Sequence, residues 1–276
     1  IGLNVGDKVV APSATFIATL NGACLLGANP AFCEIGTDYV ISSEQLEKIL
    51  NTSQVKCVVP VHLYGRPCNM SSILDIAKRK NVILIEDSAQ AHGAQHKSKK
   101  VGSFGEAAIF SFYPTKNMTV GGDGGMITTN SKKICESALK MRDVGRKTKY
   151  THDEIGYTLR LNSVNAAIGK IQLQHLDEWN AKRRSIAKAY RNKLTGIGDL
   201  IMPPGDEPYD ESVYHLFVLR TQKRDLLGLW LSKNGVSTGV HYPIPVHRQP
   251  AYQKFESKVL AFTDEWSKTV ISIPIF

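Results

Sequence analysis

The sequence has no long apolar run and no paired cysteines, and each absence argues against a class of protein. No stretch of the 276 residues approaches the roughly 18 consecutive apolar residues of a membrane-spanning helix. The opening IGLNVGDKVV lacks the basic and apolar regions of a secretory signal. The five cysteines are scattered and include no C-x-x-C pair, unlike a disulfide frame or a zinc site. We therefore expect a cytoplasmic protein without a membrane partner.

Two histidines have a spacing that resembles a metal site. His92 and His96 are four residues apart, as ligands on one face of a helix would be. However, Gly93 lies between them and no acidic third ligand is evident. We expect one packing histidine, one surface histidine and no bound metal.

The charge is basic, with 34 Lys and Arg against 25 Asp and Glu, or +9 overall. This balance permits an anionic partner. Nucleic-acid binding would need a clustered basic face with aromatic residues for stacking. The basic clusters here, KSKK at 97–100 and KRR at 182–184, are short. We expect them to be solvated surface, and we expect no nucleic-acid partner.

The first half of the chain alternates strand-like and helix-like segments. Short runs rich in Val, Ile and Phe are separated mostly by helical patterns, which is typical of a largely parallel sheet with helices on both faces. We predict an α/β fold with a mostly parallel mixed sheet. The strand-like segments are KVVAP (8–12), PAFCEI (30–35), KCVVPV (56–61), VILIE (82–86), AIFSFY (108–113) and MITT (126–129).

The alternation of strand-like and helix-like segments ends at about Asn162. A long helical pattern runs to residue 194, with apolar residues at three-to-four spacing. Strand-like YHLFVLRT (214–221), helical RDLLGLWLSKNG (224–235) and strand-like STGVHYP (237–243) follow. We predict a large α/β domain over 1–180 and a smaller α+β domain over 181–276.

Two predicted strands end on reactive residue types, where open α/β sheets place their sites. VILIE leads into Asp87, and AIFSFY leads into Lys116. The pair has two interpretations: a structural ion pair, or a pyridoxal phosphate site in which the lysine forms a Schiff base and the carboxylate pairs with the ring nitrogen. In the second interpretation Gln90 reaches the phenolic oxygen of the ring, and Ser111 offers a hydroxyl to the phosphate.

The glycine-rich turn GGDGG (121–125) lets backbone approach a ligand closely. It does not match a P-loop, because Lys116 precedes the glycines instead of following them. A nucleoside triphosphate site is therefore disfavoured.

Several ordered strings resemble the DegT/DnrJ/EryC1/StrS family of sugar aminotransferases over essentially the whole chain. They are PSATFIATLNGACLLGANPAF, PVHLYGRPCNM, IEDSAQAHGA, FSFYPTKNMTVGGDGGMITTN, GYTLRLNSVNAAIGKIQL and HYPIPVHRQPAY. The resemblance implies a fold-type-I, pyridoxal 5'-phosphate-dependent transferase. The family normally has an earlier phosphate-cradling segment and a longer C-terminus, so we expect that this chain is truncated at both ends.

The resemblance also implies roles for individual residues. Lys116 matches the lysine that carries the cofactor, Asp87 the partner of the ring nitrogen, and Gln90 the neighbour of the ring hydroxyl. Ser111 matches the phosphate-binding serine and Phe16 the aromatic that stacks on the ring. Arg160 lies where the family sends a polar side chain into the partner subunit's site, which implies a homodimer with shared sites. Near the sugar nucleotide the family places the segment that contains His241, Tyr242 and His247.

The function that follows is transfer of an amino group from an amino acid, glutamate in our expectation, to a nucleotide-linked keto-sugar. One alternative is a sugar dehydratase of the same fold, but that branch replaces the lysine with histidine, and this chain has Lys116. The other alternative is a non-catalytic module for regulation or assembly. The chain also departs from the family at Thr158, where the family commonly has asparagine.

Overall fold

The computed structural model describes residues 1–255 and 259–276, which form ten strands and seven α-helices. The strands are Lys8–Pro12 (β1), Asn29–Cys33 (β2), Cys57–Val58 (β3), Ile83–Asp87 (β4), Gln95–His96 (β5), Lys99–Lys100 (β6), Ala107–Ser111 (β7), Gly125–Thr128 (β8), Phe217–Arg220 (β9) and Val270–Ile273 (β10). The helices are Ala18–Leu25 (α1), Ser43–Thr52 (α2), Met70–Lys80 (α3), Lys132–Met141 (α4), Ser163–Leu194 (α5), Arg224–Lys233 (α6) and Ala261–Thr269 (α7).

The central sheet has six strands in the order β2-β1-β3-β4-β7-β8. All neighbours are parallel except β7 and β8, which are antiparallel. The predicted mostly parallel mixed sheet is therefore confirmed. Because β4 and β7 are parallel neighbours, Asp87 pairs with Ile109 and the carboxyl ends of the two strands meet at one edge of the sheet.

Four of the seven α-helices described begin at a capping side chain: α2, α3, α4 and α5. The Ser42 hydroxyl accepts a hydrogen bond from the backbone N–H of Gln45 at 3.3 Å at the start of α2. The Asn69 side chain accepts one from the N–H of Ser72 at 3.2 Å near the start of α3. In the part of the chain that is described, no helix is long and apolar enough to cross a membrane.

The largest buried cluster combines both predicted domains. Val10 and Leu46 from the first half pack in the same cluster as Val218 and Trp266 from the second half. Helix α5 also runs through residue 180 without interruption. The division into 1–180 and 181–276 stays a prediction.

The end of the chain contains a correction. The segment 237–243 is not a strand; only Gly239 bridges to the sheet, at Ser272. The antiparallel partner of β9 is β10, over four residue pairs from Val270–Arg220 to Ile273–Phe217. The run VISI is buried over three of its four residues and pairs continuously, whereas Pro243 has no N–H to donate to a ladder.

Candidate active site

A cavity of about 720 Å³ opens at the carboxyl ends of β4 and β7. Asp87 is the last residue of β4, and Lys116 follows β7 by five residues, after a short turn. All but two of the predicted site residues line this cavity: Phe16, Asp87, Gln90, Ser111, Lys116, His241 and Tyr242.

The Asp87 carboxylate is buried and is held by two donors. One oxygen accepts a hydrogen bond from the Thr19 hydroxyl at 2.7 Å, and the other accepts from the N–H of Ala89 at 3.1 Å. The Thr15 and Thr19 hydroxyls are 2.8 Å apart, so the donor side chain is itself held. No cation neutralises Asp87 at ion-pair distance in the described chain. The carboxylate is thus oriented toward the cavity and lacks a protein counter-ion in contact.

Lys116 is a half-buried amine beside this carboxylate. Burial lowers the pKa of Lys116 below its usual range, and the charge of Asp87 partly opposes that effect. A lower pKa raises the fraction of free amine near neutral pH, and the free amine is the nucleophilic form. Lys116 therefore differs from a solvated surface lysine in the property that imine chemistry needs.

Gln90 is fixed by two contacts. Its Oε1 accepts a hydrogen bond from the N–H of Tyr64 at 2.7 Å, and its Nε2 donates to the Tyr242 hydroxyl at 3.0 Å. Burial raises the pKa of Tyr242 to about 12, so the phenol is neutral and can pass a hydrogen bond on into the cavity. Gln90 and Tyr242 thus form one polar wall, although they are 152 positions apart.

Ser111 and Phe16 lie on other parts of the wall. Ser111 ends β7, and its hydroxyl accepts a hydrogen bond from the N–H of Tyr113 at 3.3 Å. Phe16 is 55% exposed, and its ring lies 5.9 Å from that of Tyr242. An aromatic face that exposed beside a cavity is available to stack on a planar ligand.

The acid that precedes Asp87 supports the site from behind. Glu86 is fully buried and accepts hydrogen bonds from the N–H groups of Gly102, Phe104 and Gly105 at 2.7 to 2.9 Å. It also bonds to His62 at 3.1 Å. Burial by itself would raise the pKa of Glu86, but these hydrogen bonds lower it overall. Glu86 therefore anchors the loop before β7 to the end of β4.

Two predicted site residues lie outside the cavity. His247 is buried against Ser13, whose hydroxyl is 2.6 Å from its Nδ1, and its Nε2 is 3.1 Å from Asp264. Arg160 is half-exposed and pairs with Asp143 of its own chain at 3.0 Å. Within a single chain, the structure brings neither residue to Lys116.

The two closely spaced histidines are both buried, so the expectation that one lies on the surface is wrong. His92 packs beside Phe110 and Phe112, with ring centres 5.4 and 5.9 Å apart. His96 bonds to Ser71 and Asp210 at 2.9 and 3.1 Å. The described residues contain no group of three or more His, Cys, Asp or Glu that could hold a metal.

Sequence reasoning missed several residues of the cavity wall. Thr15, Thr19, Arg183 and His215 all line it. Thr15 and Thr19 lie one and three residues from Phe16 in the sequence. The predicted role of Phe16 could therefore have pointed to both threonines. Arg183 lies in the basic cluster at 182–184, which we expected to be solvated surface, and His215 lies in a predicted strand. No local sequence pattern marks either residue as part of a site.

The donor set fits pyridoxal phosphate. The cavity combines a carboxylate without a protein counter-ion in contact, an amine of lowered pKa and an exposed aromatic face. These are the groups that a ring nitrogen, an aldehyde and a planar ring would meet. The residues present can therefore hold this cofactor.

Comparison with known proteins places these features in a family. The model of the DegT/DnrJ/EryC1/StrS aminotransferase family matches residues 1–276. The chain is 40% identical over 275 residues to dTDP-3-amino-3,6-dideoxy-alpha-D-galactopyranose transaminase of Aneurinibacillus thermoaerophilus, covering 99% of this chain and 75% of that protein. It is 38% identical over 279 residues to a pleiotropic regulatory protein of Geobacillus stearothermophilus, covering 100% and 75%.

The fold agrees with solved structures of this kind. The crystal structure of DesV from S. venezuelae, in complex with a ketimine intermediate, superimposes with a TM-score of 0.94 at 36% identity. The match covers 99% of this chain and 74% of DesV. The family match over residues 1–276 and the shared architecture agree with the site geometry, and the chain belongs to the DegT/DnrJ/EryC1/StrS aminotransferase family.

Proposed function

We propose that this aminotransferase uses pyridoxal 5'-phosphate to move an amino group from an amino acid, glutamate in our proposal, to a keto-sugar linked to a nucleotide. The observation that carries the proposal is the placement of Lys116 and Asp87 in one cavity, at the ends of neighbouring parallel strands. Relatives named as nucleotide-sugar transaminases support the substrate class.

Each cavity residue has a proposed role. Asp87 would hold the ring nitrogen, Gln90 the ring hydroxyl and Ser111 the phosphate, while Phe16 would stack on the ring. When bound, pyridoxal phosphate supplies an aldehyde for the amine and a ring that withdraws electrons from the substrate's α-carbon. Lys116, once its amine is free, would take a proton from one carbon and deliver it to another as base and then acid.

The remaining predicted residues concern substrate and partner. His241 and Tyr242 line the same cavity as Lys116, which supports a role for them at the substrate. For Arg160 we propose a role in the neighbouring subunit's site of a homodimer.

We also propose a cytoplasmic location, because all five cysteines are free thiols, as a reducing compartment would keep them.

The first experiment identifies the reactive amine. Protein incubated with pyridoxal 5'-phosphate should develop a visible absorbance band, and borohydride should then fix the cofactor on Lys116, as read by peptide mass spectrometry. Lys116→Ala should abolish both labelling and transamination. Lys132→Ala, at a side chain that is 90% exposed, is the matched control and should change neither.

Labelling of another lysine would refute the assignment of Lys116. A protein that binds no pyridoxal phosphate at all would favour the non-catalytic alternative. Incubating the enzyme with glutamate and a panel of nucleotide keto-sugars, followed by mass spectrometry of the products, then identifies the substrate. If no member of the panel gains an amino group, the proposed substrate class is wrong.

A further inference from the structure

Two buried side-chain amides, of Asn117 and Asn180, are hydrogen-bonded to each other, and Asn117 is next to Lys116 in the sequence. Asn117 is 6% exposed, and Asn180 of helix α5 is 1% exposed. The Asn117 Nδ2 donates to the Asn180 Oδ1 at 3.0 Å and to the Val213 carbonyl at 2.9 Å. The Asn180 Nδ2 donates to the His92 carbonyl at 2.8 Å. Segments that are distant in sequence therefore meet through two side-chain amides.

The backbone carbonyls of Val213 and His92 determine which atom of each side-chain amide is the oxygen and which is the nitrogen. A carbonyl can only accept a hydrogen bond, so the Val213 carbonyl requires the NH2 of Asn117, and the His92 carbonyl requires the NH2 of Asn180. The other end of each amide is then an oxygen. For Asn180 that oxygen accepts from Asn117. For Asn117 the oxygen is left facing His215.

This orientation determines the tautomer of His215. The Asn117 Oδ1 lies 3.2 Å from the Nδ1 of His215, and an oxygen acceptor requires a proton on that nitrogen. Nδ1 is the only ring nitrogen of His215 that bonds to protein in residues 1–255 and 259–276. The His215 side chain lines the same cavity as Lys116. The unprotonated Nε2 thus remains as an acceptor without a hydrogen-bond partner among the described residues.

The surrounding charges keep this imidazole neutral. Burial first, then Lys116, Arg183, His92 and His241, lower the pKa of His215 well below its usual range. The charge of Asp87 acts on Lys116, and the charge of Lys116 in turn acts on His92, His215 and His241. Each of the three histidines has a lowered pKa. Lys116 therefore shares its cavity with two neutral imidazoles, of His215 and His241, and with the Asp87 carboxylate.

We propose that Nε2 of His215 accepts a hydrogen bond from the Lys116 amine, and that Asn117 and Asn180 are positioning residues that hold His215 in the tautomer with Nδ1 protonated. The proposal rests on the proposed function only in taking Lys116 as the reactive amine. A neutral acceptor at this place aims the amine and stabilises its protonated form. It would oppose the effect of burial on Lys116, as Asp87 does.

The first test reads the tautomer directly and does not depend on activity. Protein labelled with ¹⁵N-histidine and free of cofactor is studied by long-range ¹H–¹⁵N correlation, and the His215 signals are assigned by their loss in His215→Gln. We expect a protonated Nδ1 and a bare Nε2 at pH 7. A protonated Nε2 would overturn the proposal while leaving the aminotransferase assignment intact.

The role of Asn180 is tested by the same measurement. Asn180→Ala removes the acceptor that helps hold Asn117, and the population of the minor His215 tautomer should rise about fivefold. Asn192→Ala, at an exposed asparagine of the same helix, is the matched control and should leave the population unchanged. An unchanged population in both variants removes Asn180 from the proposal.

The second test separates the two ring nitrogens. Asparagine at position 215 retains a donor near the place of Nδ1, whereas glutamine retains an acceptor near the place of Nε2. Cofactor-free protein is mixed with pyridoxal 5'-phosphate, and the rate of imine formation at Lys116 is followed by absorbance against pH. In His215→Asn the midpoint of the profile should fall by about one pH unit, since the ammonium loses its acceptor. In His215→Gln it should stay close to that of the wild type.

The opposite ranking would overturn the proposal. If the midpoint of the pH profile were unchanged in His215→Asn and shifted in His215→Gln, His215 would have a structural role only. If the wild type forms the imine and neither variant does, the proposal is decided by the His215 tautomer measured in the wild type. If the wild type itself forms no imine at Lys116, the proposed function fails, and the tautomer measurement still tests the amide chain.

Discussion

Asp87 is the residue on which the electronic part of the proposed reaction depends. Its carboxylate is buried, is held by Thr19 and Ala89, and has no counter-ion in contact among the described residues. A carboxylate in that position can keep a pyridine nitrogen protonated, whereas an amide cannot.

We expect Asp87→Asn to fold and to bind cofactor but to lose about 10²- to 10³-fold in turnover, the usual loss for one preorganised electrostatic partner. Steady-state transamination and the thermal midpoint should be measured together. Asp75→Asn, at an exposed carboxylate that pairs with Arg79, is the control and should keep full turnover. Near wild-type turnover of Asp87→Asn would disprove the role.

His92 makes the stability of the protein depend on pH. It is 3% exposed, and burial, with the nearby Lys116 charge, lowers its pKa to about 4. Below pH ~6.5 the unfolded chain takes up a proton that the folded chain does not accept until the pH nears that lower value. The free energy of unfolding therefore falls as the pH falls through this window.

His92→Phe should remove that part of the pH dependence, about 2 kcal/mol between pH 7.5 and pH 5. The measurement is urea unfolding of cofactor-free protein at both pH values. His215, His241 and His247 also have lowered pKa values, so some acid sensitivity should remain. The control His175→Phe, at an exposed site, should unfold with the wild-type pH dependence. If His92→Phe does so too, the explanation is wrong.

At the level of elements, the turn at 63–65 connects the sheet to the cavity wall. Tyr64 has a left-handed backbone with φ of 59°, and its N–H holds Gln90. Gly65 has φ of 88°, and its carbonyl accepts from the N–H of Val213 at 2.9 Å. A Cβ on Gly65 would lie 2.9 Å from the backbone nitrogen of His215. Only glycine allows this close approach.

Gly65→Ala should therefore destabilise the protein by about 2–5 kcal/mol, as left-handed strain and overpacking add. Gly196→Ala is a matched control, because Gly196 has φ of 83° but no atom within 4 Å of an added Cβ. It should cost only the backbone strain, about 1–2 kcal/mol. The measurement is the free energy of unfolding in urea. Equal costs for the two variants would mean that the contact with His215 carries no packing constraint.

At the level of the whole molecule, an apolar surface lies beside the predicted subunit contact. Ile155 is 98% exposed, Leu159 68%, Val164 70% and Ile171 59%. Of the apolar residues that mark the first half of α5, Leu176 is the one that is buried. Large apolar side chains that are exposed in one stretch of the chain, residues 155–171, are typical of an interaction site, which supports the proposed homodimer.

Mixing two inactive variants tests whether the sites are shared. Lys116→Ala and Arg160→Ala should each be inactive alone, and subunit exchange between them should restore activity. One site of each mixed dimer would then have Lys116 from one chain and Arg160 from the other. A mixture that stays inactive would indicate that Arg160 acts within its own chain, where it pairs with Asp143. Sedimentation of the mixture verifies that dimers formed.

Much of the framework could be predicted from the sequence. Apolar runs bounded by turns marked the strands of the central sheet, because a strand buried on both faces needs continuous apolar residues. The carboxyl ends of β4 and β7 lie together because the two strands are parallel neighbours, as the pairing of Asp87 with Ile109 shows. The family assignment is likewise confirmed over residues 1–276. These features depend on local pattern and on short-range connection.

Other features were decided only by tertiary structure. His215 and Asn180 reach Asn117, the residue after Lys116, from distant segments, and their hydrogen bonds depend on where those segments pack. The partner of β9 is β10 instead of 237–243, and His247 bonds to Ser13 away from the cavity. Local sequence records whether a side chain prefers burial and how the backbone near it bends. Which distant side chains share hydrogen bonds is determined by the packing of the whole chain, because each buried polar group must find its partner there.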